Sequence, residues 1–158
     1  MCPEIDRIYG NRVRVRACGI CWHENKVLMV NHIGLGPRNF WAPPGGGVEF
    51  GESLSETLER EFIEEIGLHV VVGRFVGVCE LLKRPLHAIE LFFEVSIKGG
   101  TLTKGIDPEL PVGSQMISSV AFMSFEAIRG LDKGEKHGLF EIVKSEKELK
   151  TASGYWKI

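Results

Sequence analysis

From Val13 the chain alternates, "VRVR", and then turns apolar, "ACGICW", as a strand does when it runs from an edge into a core. "HEN" (His23–Asn25) reads as a turn and "KVLMVNHI" (Lys26–Ile33) as a second strand, so the two predict a hairpin. "GLGPRN" (34–39) is a loop. "FWAPPGGG" (40–47) is apolar but holds two prolines and three glycines, which predicts irregular backbone. A helix follows: Ser53 and Glu56 make an S-x-x-E capping box, and Gly67 stands where a helix-ending glycine belongs. "HVVVGRFVGVCELL" (69–82) and "HAIELFFEVSI" (87–97) are β-branched and aromatic, hence strands. The polar stretch 98–119, with four glycines and two prolines, predicts a long surface loop. "VAFMS" (120–124) predicts a short strand, "SFEAIRGL" (124–131) a helix, and "HGLFEIVKSEKEL" (137–149) one amphipathic helix. Residues 1–11 read as an irregular lead-in. The element order predicts an α/β fold, a mixed sheet with helices on its faces. The 158 residues suit a single domain spanning 1–158.

Charge changes this picture in one place. Seven glutamates lie between Glu49 and Glu65 with one cation, Arg60, a window of net -6 in a chain of net -2. At about 100° per residue, Glu61, Glu64 and Glu65 share an arc of roughly 100°. That arc overlaps the edge of the stripe formed by Leu54, Leu58, Phe62 and Ile66 instead of lying opposite it. Like charges three or four residues apart repel. At an effective dielectric of about 20, each such pair costs on the order of 3 kcal/mol. A hard divalent cation with oxygen ligands would relieve the strain; a solvated acidic helix is the plainer reading. Gly45, Gly46 and Gly47 allow close backbone approach just before the helix, but neither a P-loop nor a G-x-G-x-x-G is present.

Elsewhere composition mostly excludes. The near-neutral balance argues against nucleic acid as a partner, no apolar run is long enough for a membrane helix, and the N-terminus carries no secretory pattern. Four irregularly spaced cysteines fit free thiols in a reducing, cytoplasmic setting. Cys18 and Cys21 form a C-x-x-C, but on a strand they would face opposite sides, which favours core thiols over a metal or redox pair. The five histidines are isolated and read as turn or surface residues.

Gly46, five residues, Glu52, seven residues, then "REFIEEIGL" (Arg60–Leu68) resembles the Nudix box, G-x5-E-x7-R-E-U-x-E-E-x-G-U, at every fixed position. "WAPPGGGVEFGE" looks like the lead-in usual in that family. The resemblance implies a Nudix-type α/β/α sandwich with a mixed central sheet. It also implies hydrolysis of a diphosphate bond in a nucleoside diphosphate derivative with Mg²⁺ or Mn²⁺. Carried over, Glu61, Glu64 and Glu65 are metal ligands, one of them also a candidate general base, and the Gly46 carbonyl is a further ligand. Arg60 would orient a box glutamate, and Glu52 would support the loop–helix geometry. Cations neutralise a diphosphate and make water a better nucleophile, so carboxylates loaded with metal attract a substrate that bare carboxylates repel.

A further acidic residue outside the box is expected among Glu80, Glu90, Glu109 and Glu126, with Glu109 preferred for its place in the long loop. Arg38 and Trp41 are candidate substrate contacts beside the glycines. Arg16, with Arg14 on the same strand face, is a third, a solvated strand face being its default reading. Pro85, 17 residues beyond Leu68, lies near the register of a proline found in ADP-ribose hydrolases of the family. The alternative is a Nudix-fold sensor that binds a nucleotide metabolite without cleaving it. A homodimer is the family's expectation.

Overall fold

The computed structural model describes residues 3–35, 38–106 and 110–158, with side chains from residue 6 onward. Helix α1 (Pro3–Tyr9) opens the chain, which corrects the irregular lead-in expected for 1–11. Seven residues are too few to hold a helix alone in water. This one is held by tertiary contact: Tyr9 is buried, and the Asn11 N–H donates to the Pro85 carbonyl at 2.8 Å.

Strands β1 (Val13–His23) and β2 (Lys26–Ile33) form the expected hairpin. Its turn residues Glu24 and Asn25 have φ of 47° and 59°, the left-handed pair that matches the twist of a two-residue hairpin. The proline–glycine segment is more regular than its composition suggests. It forms β3 (Asn39–Ala42) on β2 and β4 (Gly45–Gly47) on β1, interrupted at Pro43 and Pro44. Helix α2 (Leu54–Ile66) begins and ends where its caps predict. Ser53 and Glu56 close a reciprocal capping box, and Gly67 is left-handed at φ 73°.

Strands β5 (Leu68–Lys83) and β6 (Leu86–Gly100) form a long antiparallel pair, and β6 runs parallel to β1. The expected loop 98–119 is shorter than read: β6 claims residues to Gly100, Val112–Ser114 forms one 3₁₀ turn, and β7 (Ile117–Ser124) starts early. Helix α3 (Phe125–Gly130) follows. The single C-terminal helix expected over 137–149 is two, α4 (Leu139–Ile142) and α5 (Glu146–Thr151). Val143 is extended, and Ser145 accepts the Glu148 N–H to start a new helix, a local bond that competes with helix continuation. Strand β8 (Tyr155–Lys157), not legible in the pattern, adds parallel to β5.

The sheet runs β3-β2-β1-β6-β5-β8, with β4 also on β1 and β7 on β2. It is mixed and covered on both faces. Leu58, Phe62 and Ile66 of α2 pack on Ala17, Cys21, Leu28, Val70 and Val95. Phe125, Ile128, Leu139, Phe140 and Leu149 pack on Cys18, Ile20, Met29, Cys79 and Phe92. Each fully buried large side chain contributes roughly 1.5–3 kcal/mol. Cys18 and Cys21 lie in opposite cores as unpaired buried thiols, as strand alternation predicts. Among the described residues no helix is long and apolar enough to cross a membrane.

Candidate active site

Helix α2 carries its acidic residues into the protein. Its buried positions are Thr57, Leu58, Glu61, Phe62, Glu65 and Ile66, so Glu61 and Glu65 ride on the same stripe as the core residues. They are 8% and 6% exposed. Both lie against β4. A Cβ added at Gly46 would stand 1.9 Å from Glu61 Oε1, so only glycine lets that carboxylate lie there. The Gly45 N–H donates to Glu65 Oε2 at 3.1 Å. Gly45 has φ 154°, and a Cβ there would meet the Ala17 carbonyl oxygen at 2.2 Å.

Ladder register decides which backbone oxygens are free. Gly19 donates to Pro44 and Val48 donates to Val15, and Ala17 faces Gly46 midway between them. Alternation in an antiparallel ladder then makes Ala17–Gly46 a hydrogen-bonded pair and turns the polar groups of Gly45 and Gly47 away from β1. Their contacts agree: Arg16 Nη2 donates to the Gly45 carbonyl at 2.9 Å and Arg60 Nη2 to the Gly47 carbonyl at 3.1 Å. The Gly46 carbonyl, the oxygen expected as a ligand, therefore points into the ladder.

Arg60 organises the outer glutamates. Its Nε and Nη2 grip Glu52 at 2.7 and 3.0 Å, a fork that matches a carboxylate. Its Nη1 reaches Glu61 Oε1 at 2.9 Å and Glu64 Oε2 at 3.2 Å. The bond from Arg60 holds the Glu52 carboxyl down at about 2. Glu61 goes the other way. Burial first, and the charge of Glu65 second, push its carboxyl up to about 7, against the pull of Arg60. One arginine thus offsets only part of the like-charge repulsion.

On the far side of β4 lies a second network. Arg16 Nη1 donates to Glu90 Oε1 at 3.0 Å, and His137 Nε2 bonds Glu90 Oε2 at 2.7 Å. His137 Nδ1 accepts the Leu139 N–H at 3.2 Å, so Nε2 carries the proton and donates it. Glu90 is 3% and His137 5% exposed. Burial alone would raise the Glu90 carboxyl; His137, Arg16 and Arg14 overcome it and hold it at about 2. A third neighbour is His32, whose Nε2 lies 3.9 Å from Glu65 Oε1 while its Nδ1 is buried without a partner.

The structure thus brings together Glu61, Glu65, Arg60, Glu64 and Gly46 of the residues singled out in the sequence, with Arg16 joined through Gly45. Arg38 is exposed on the loop before β3. Trp41 is half-buried against the α3–α5 core, and its backbone clips the C-terminal segment: its N–H donates to Glu135 and its carbonyl accepts from His137. Glu109 lies outside the described residues. Residues 101–106 lead toward it along the C-terminal end of α2, with the Gly105 and Ile106 N–H groups donating to the carbonyls of Glu65 and Glu64. Sequence reading underrated Glu90. It shares a strand face with Ala88 and Phe92, both buried, and a charge at such a position demands partners. The sequence marks Gly45 only as one of three glycines that allow close approach, and no sequence signal marks His137 or His32, which read there as turn or surface residues.

The donor set fits a hard divalent cation in kind. Two buried carboxylates one turn apart repel each other near the Gly45 carbonyl, and all present oxygen donors of the kind such a cation takes. Among the described residues no three acidic, histidine or cysteine side chains are gathered around one point. The side chains at hand are Glu61 and Glu65, with Glu64 held off by Arg60.

A family model for the NUDIX domain matches residues 10–144. The chain belongs to this family. Among curated relatives, this NUDIX chain is 35% identical over 91 residues to an ADP-ribose pyrophosphatase of Methanocaldococcus jannaschii, a match covering 56% of this chain and 54% of the relative. It is 34% identical over 89 residues to diphosphoinositol polyphosphate phosphohydrolase 3-alpha of Homo sapiens, covering 54% and 53%. The chain thus spans about half the length of these relatives. A solved NUDIX hydrolase from Nitrosomonas europaea, 18% identical, superposes with a TM-score of 0.73 over 90% of this chain and 93% of that one. At that identity the likeness shows the fold: the α/β/α sandwich of the family.

Proposed function

We propose that this NUDIX chain is a pyrophosphohydrolase that cleaves a diphosphate bond in a nucleoside diphosphate derivative, with Mg²⁺ or Mn²⁺ as cofactor. The observation that carries the reading is the burial of Glu61 and Glu65 together beneath a strand in which Gly45 and Gly46 leave no room for a Cβ, within an intact box. Two mutually repelling carboxylates kept in a protein interior need a counter-charge that Arg60 only partly supplies. The two curated relatives carry names that refer to different diphosphate-bearing molecules, which supports the bond class and leaves the attached group open.

Glu61, Glu65 and, once released from Arg60, Glu64 would hold the cation. The backbone oxygen beside them that the ladder leaves free is that of Gly45, which accepts from Arg16 while its own N–H holds Glu65, and it replaces the expected Gly46 carbonyl in this reading. Bound there, the cation would neutralise diphosphate oxygens and make water nucleophilic at neutral pH. The chain's own residues do the rest. Arg60 keeps Glu52 and the loop in register with α2 and bridges Glu61 and Glu64. Glu61, its carboxyl raised by burial and by Glu65, would give up its proton on holding the cation, so binding is expected to strengthen as pH rises through about 7. Glu109 is a candidate base because the preceding segment is tied to the Glu64 carbonyl. Arg38, exposed before β3, and the half-buried Trp41 are candidate substrate contacts, and Arg16, bonded to the Gly45 carbonyl, is a third.

The test is phosphate or nucleoside monophosphate release from a panel of nucleotide sugars, ADP-ribose and nucleoside triphosphates, with Mg²⁺, Mn²⁺ or EDTA. Turnover with metal, lost in EDTA and lost in Glu64→Gln, is expected. Tight binding of one nucleotide with no turnover of any would replace the enzyme by a sensor.

A further inference from the structure

The network around Glu90 lies on the sheet face opposite α2, yet one route through it ends at Glu65. Glu90 spends both oxygens, Oε1 on Arg16 and Oε2 on His137. Arg16 spends its other terminal nitrogen on the Gly45 carbonyl, and the amide of that same residue donates to Glu65 Oε2. His137 is fixed from behind: its Nδ1 takes the Leu139 N–H, and its own N–H donates to the Trp41 carbonyl at 2.8 Å. The route from the C-terminal segment to the acidic helix is therefore His137, Glu90, Arg16, Gly45, Glu65, at 2.7, 3.0, 2.9 and 3.1 Å.

We propose that Glu90, anchored by His137, is a positioning residue: through Arg16 it sets the Gly45 peptide so that Glu65 and the Gly45 carbonyl face the cation together. The inference rests on the metal-dependent reading above. Three features of the geometry support a positioning role over simple charge neutralisation. A lone arginine could pair with Glu90 in many rotamers, but here both of its terminal nitrogens are used on different partners, which leaves one orientation. Glu90 and His137 are too buried to touch a substrate, so any effect they have is transmitted. The peptide they hold is the one whose N–H already fixes one Glu65 oxygen, leaving the other for a ligand. Partners one shell out from a metal ligand commonly tune affinity or rate by about 10–100-fold.

The experiment measures Mn²⁺ binding to the whole protein without substrate, by titration calorimetry or Mn²⁺ spin resonance, and then kcat and KM on the best substrate. Glu90→Gln offers an amide N–H where Arg16 or His137 already donates, so one link must break. The expected result is Mn²⁺ affinity weakened by about tenfold or more and kcat lowered by a similar factor, with KM nearly unchanged. Arg16→Lys is the second variant, for the case that Glu90→Gln does not fold. It keeps the charge beside Glu90 but loses the fork that spans Glu90 and Gly45, and the same loss of Mn²⁺ affinity is expected. Wild-type Mn²⁺ affinity in a folded Glu90→Gln or in Arg16→Lys overturns the proposal. If the wild-type chain binds no Mn²⁺ at all, the metal reading falls and this proposal falls with it. If the wild type binds and the variants bind equally, only the positioning role is lost.

Discussion

At the residue scale, a side chain's meaning here depends on what a neighbouring backbone leaves room for. Gly46 is the plainest case. Its missing Cβ is the space in which Glu61 sits. Gly46→Ala is expected to displace that carboxylate and lower kcat by about 10–100-fold while circular dichroism stays native. Wild-type turnover in that variant would show that Glu61 need not lie against β4. Arg60 is the complementary case. One guanidinium serves Glu52, Glu61, Glu64 and Gly47. A lysine cannot do so, because it is a point charge without the planar fork. Arg60→Lys should therefore lose activity despite conserving charge.

At the element scale, α2 is specified by both of its ends. The reciprocal Ser53–Glu56 box satisfies N-terminal amides. Ser53→Ala is expected to cost about 1 kcal/mol, read as a lower urea midpoint with unchanged slope. At the other end, residues 101–106 act as a strap, their N–H groups capping the carbonyls of Glu64, Glu65, Ile66 and Gly67, the four a helix end leaves open. A Cβ at Gly105 would stand 1.7 Å from the Glu64 carbonyl oxygen. Gly105→Ala should lift this strap, so hydrogen exchange at the amides of Thr103, Gly105 and Ile106 should rise by orders of magnitude. Unchanged protection there would mean the strap bends without detaching. The two-part C-terminal helix teaches the same lesson from the other side: an unbroken amphipathic pattern did not prevent Ser145 from capping a fresh start.

At the scale of the whole molecule, Glu90 joins the two layers, and this gives stability a pH dependence. Its carboxyl sits at about 2 in the fold against an ordinary 4.5, faced by Arg16 and Arg14 from β1, His137 from the C-terminal segment, and the neutral thiols of Cys18 and Cys79. A depressed carboxyl stabilises the fold above its unfolded value, and that stability disappears as pH falls from about 4.5 through about 2. Glu52, also held at about 2, adds in the same direction, weakened by its solvent exposure. Glu61 works the other way: its carboxyl, pushed up to about 7, stays protonated in the fold while the unfolded group titrates at about 4.5, so it adds stability as pH falls to about 4 and offsets a small part of the slope. Urea midpoints measured from pH 5 to pH 2.5 should fall steeply for the wild type and less steeply for Glu90→Gln. Parallel curves would place the acid sensitivity elsewhere.

The sequence alone determined what is local or periodic. The start and stop of α2, the β1–β2 hairpin, the opposite faces of Cys18 and Cys21, and the presence of Glu61 and Glu65 on a buried stripe all follow from rules spanning a few residues. The box spacing was enough to point to the family. What only the tertiary structure decided depends on residues far apart in the chain. The glycines 45–47 became a strand because β1 supplied a ladder. Residues 3–9 became a helix on a surface made by later strands, and β8 formed because β5 had an open edge. Glu90 and His137, 47 positions apart, met across a core. Periodicity reports which way a side chain faces, not which partner the fold will bring to it, and the Glu90 network is made entirely of such partners.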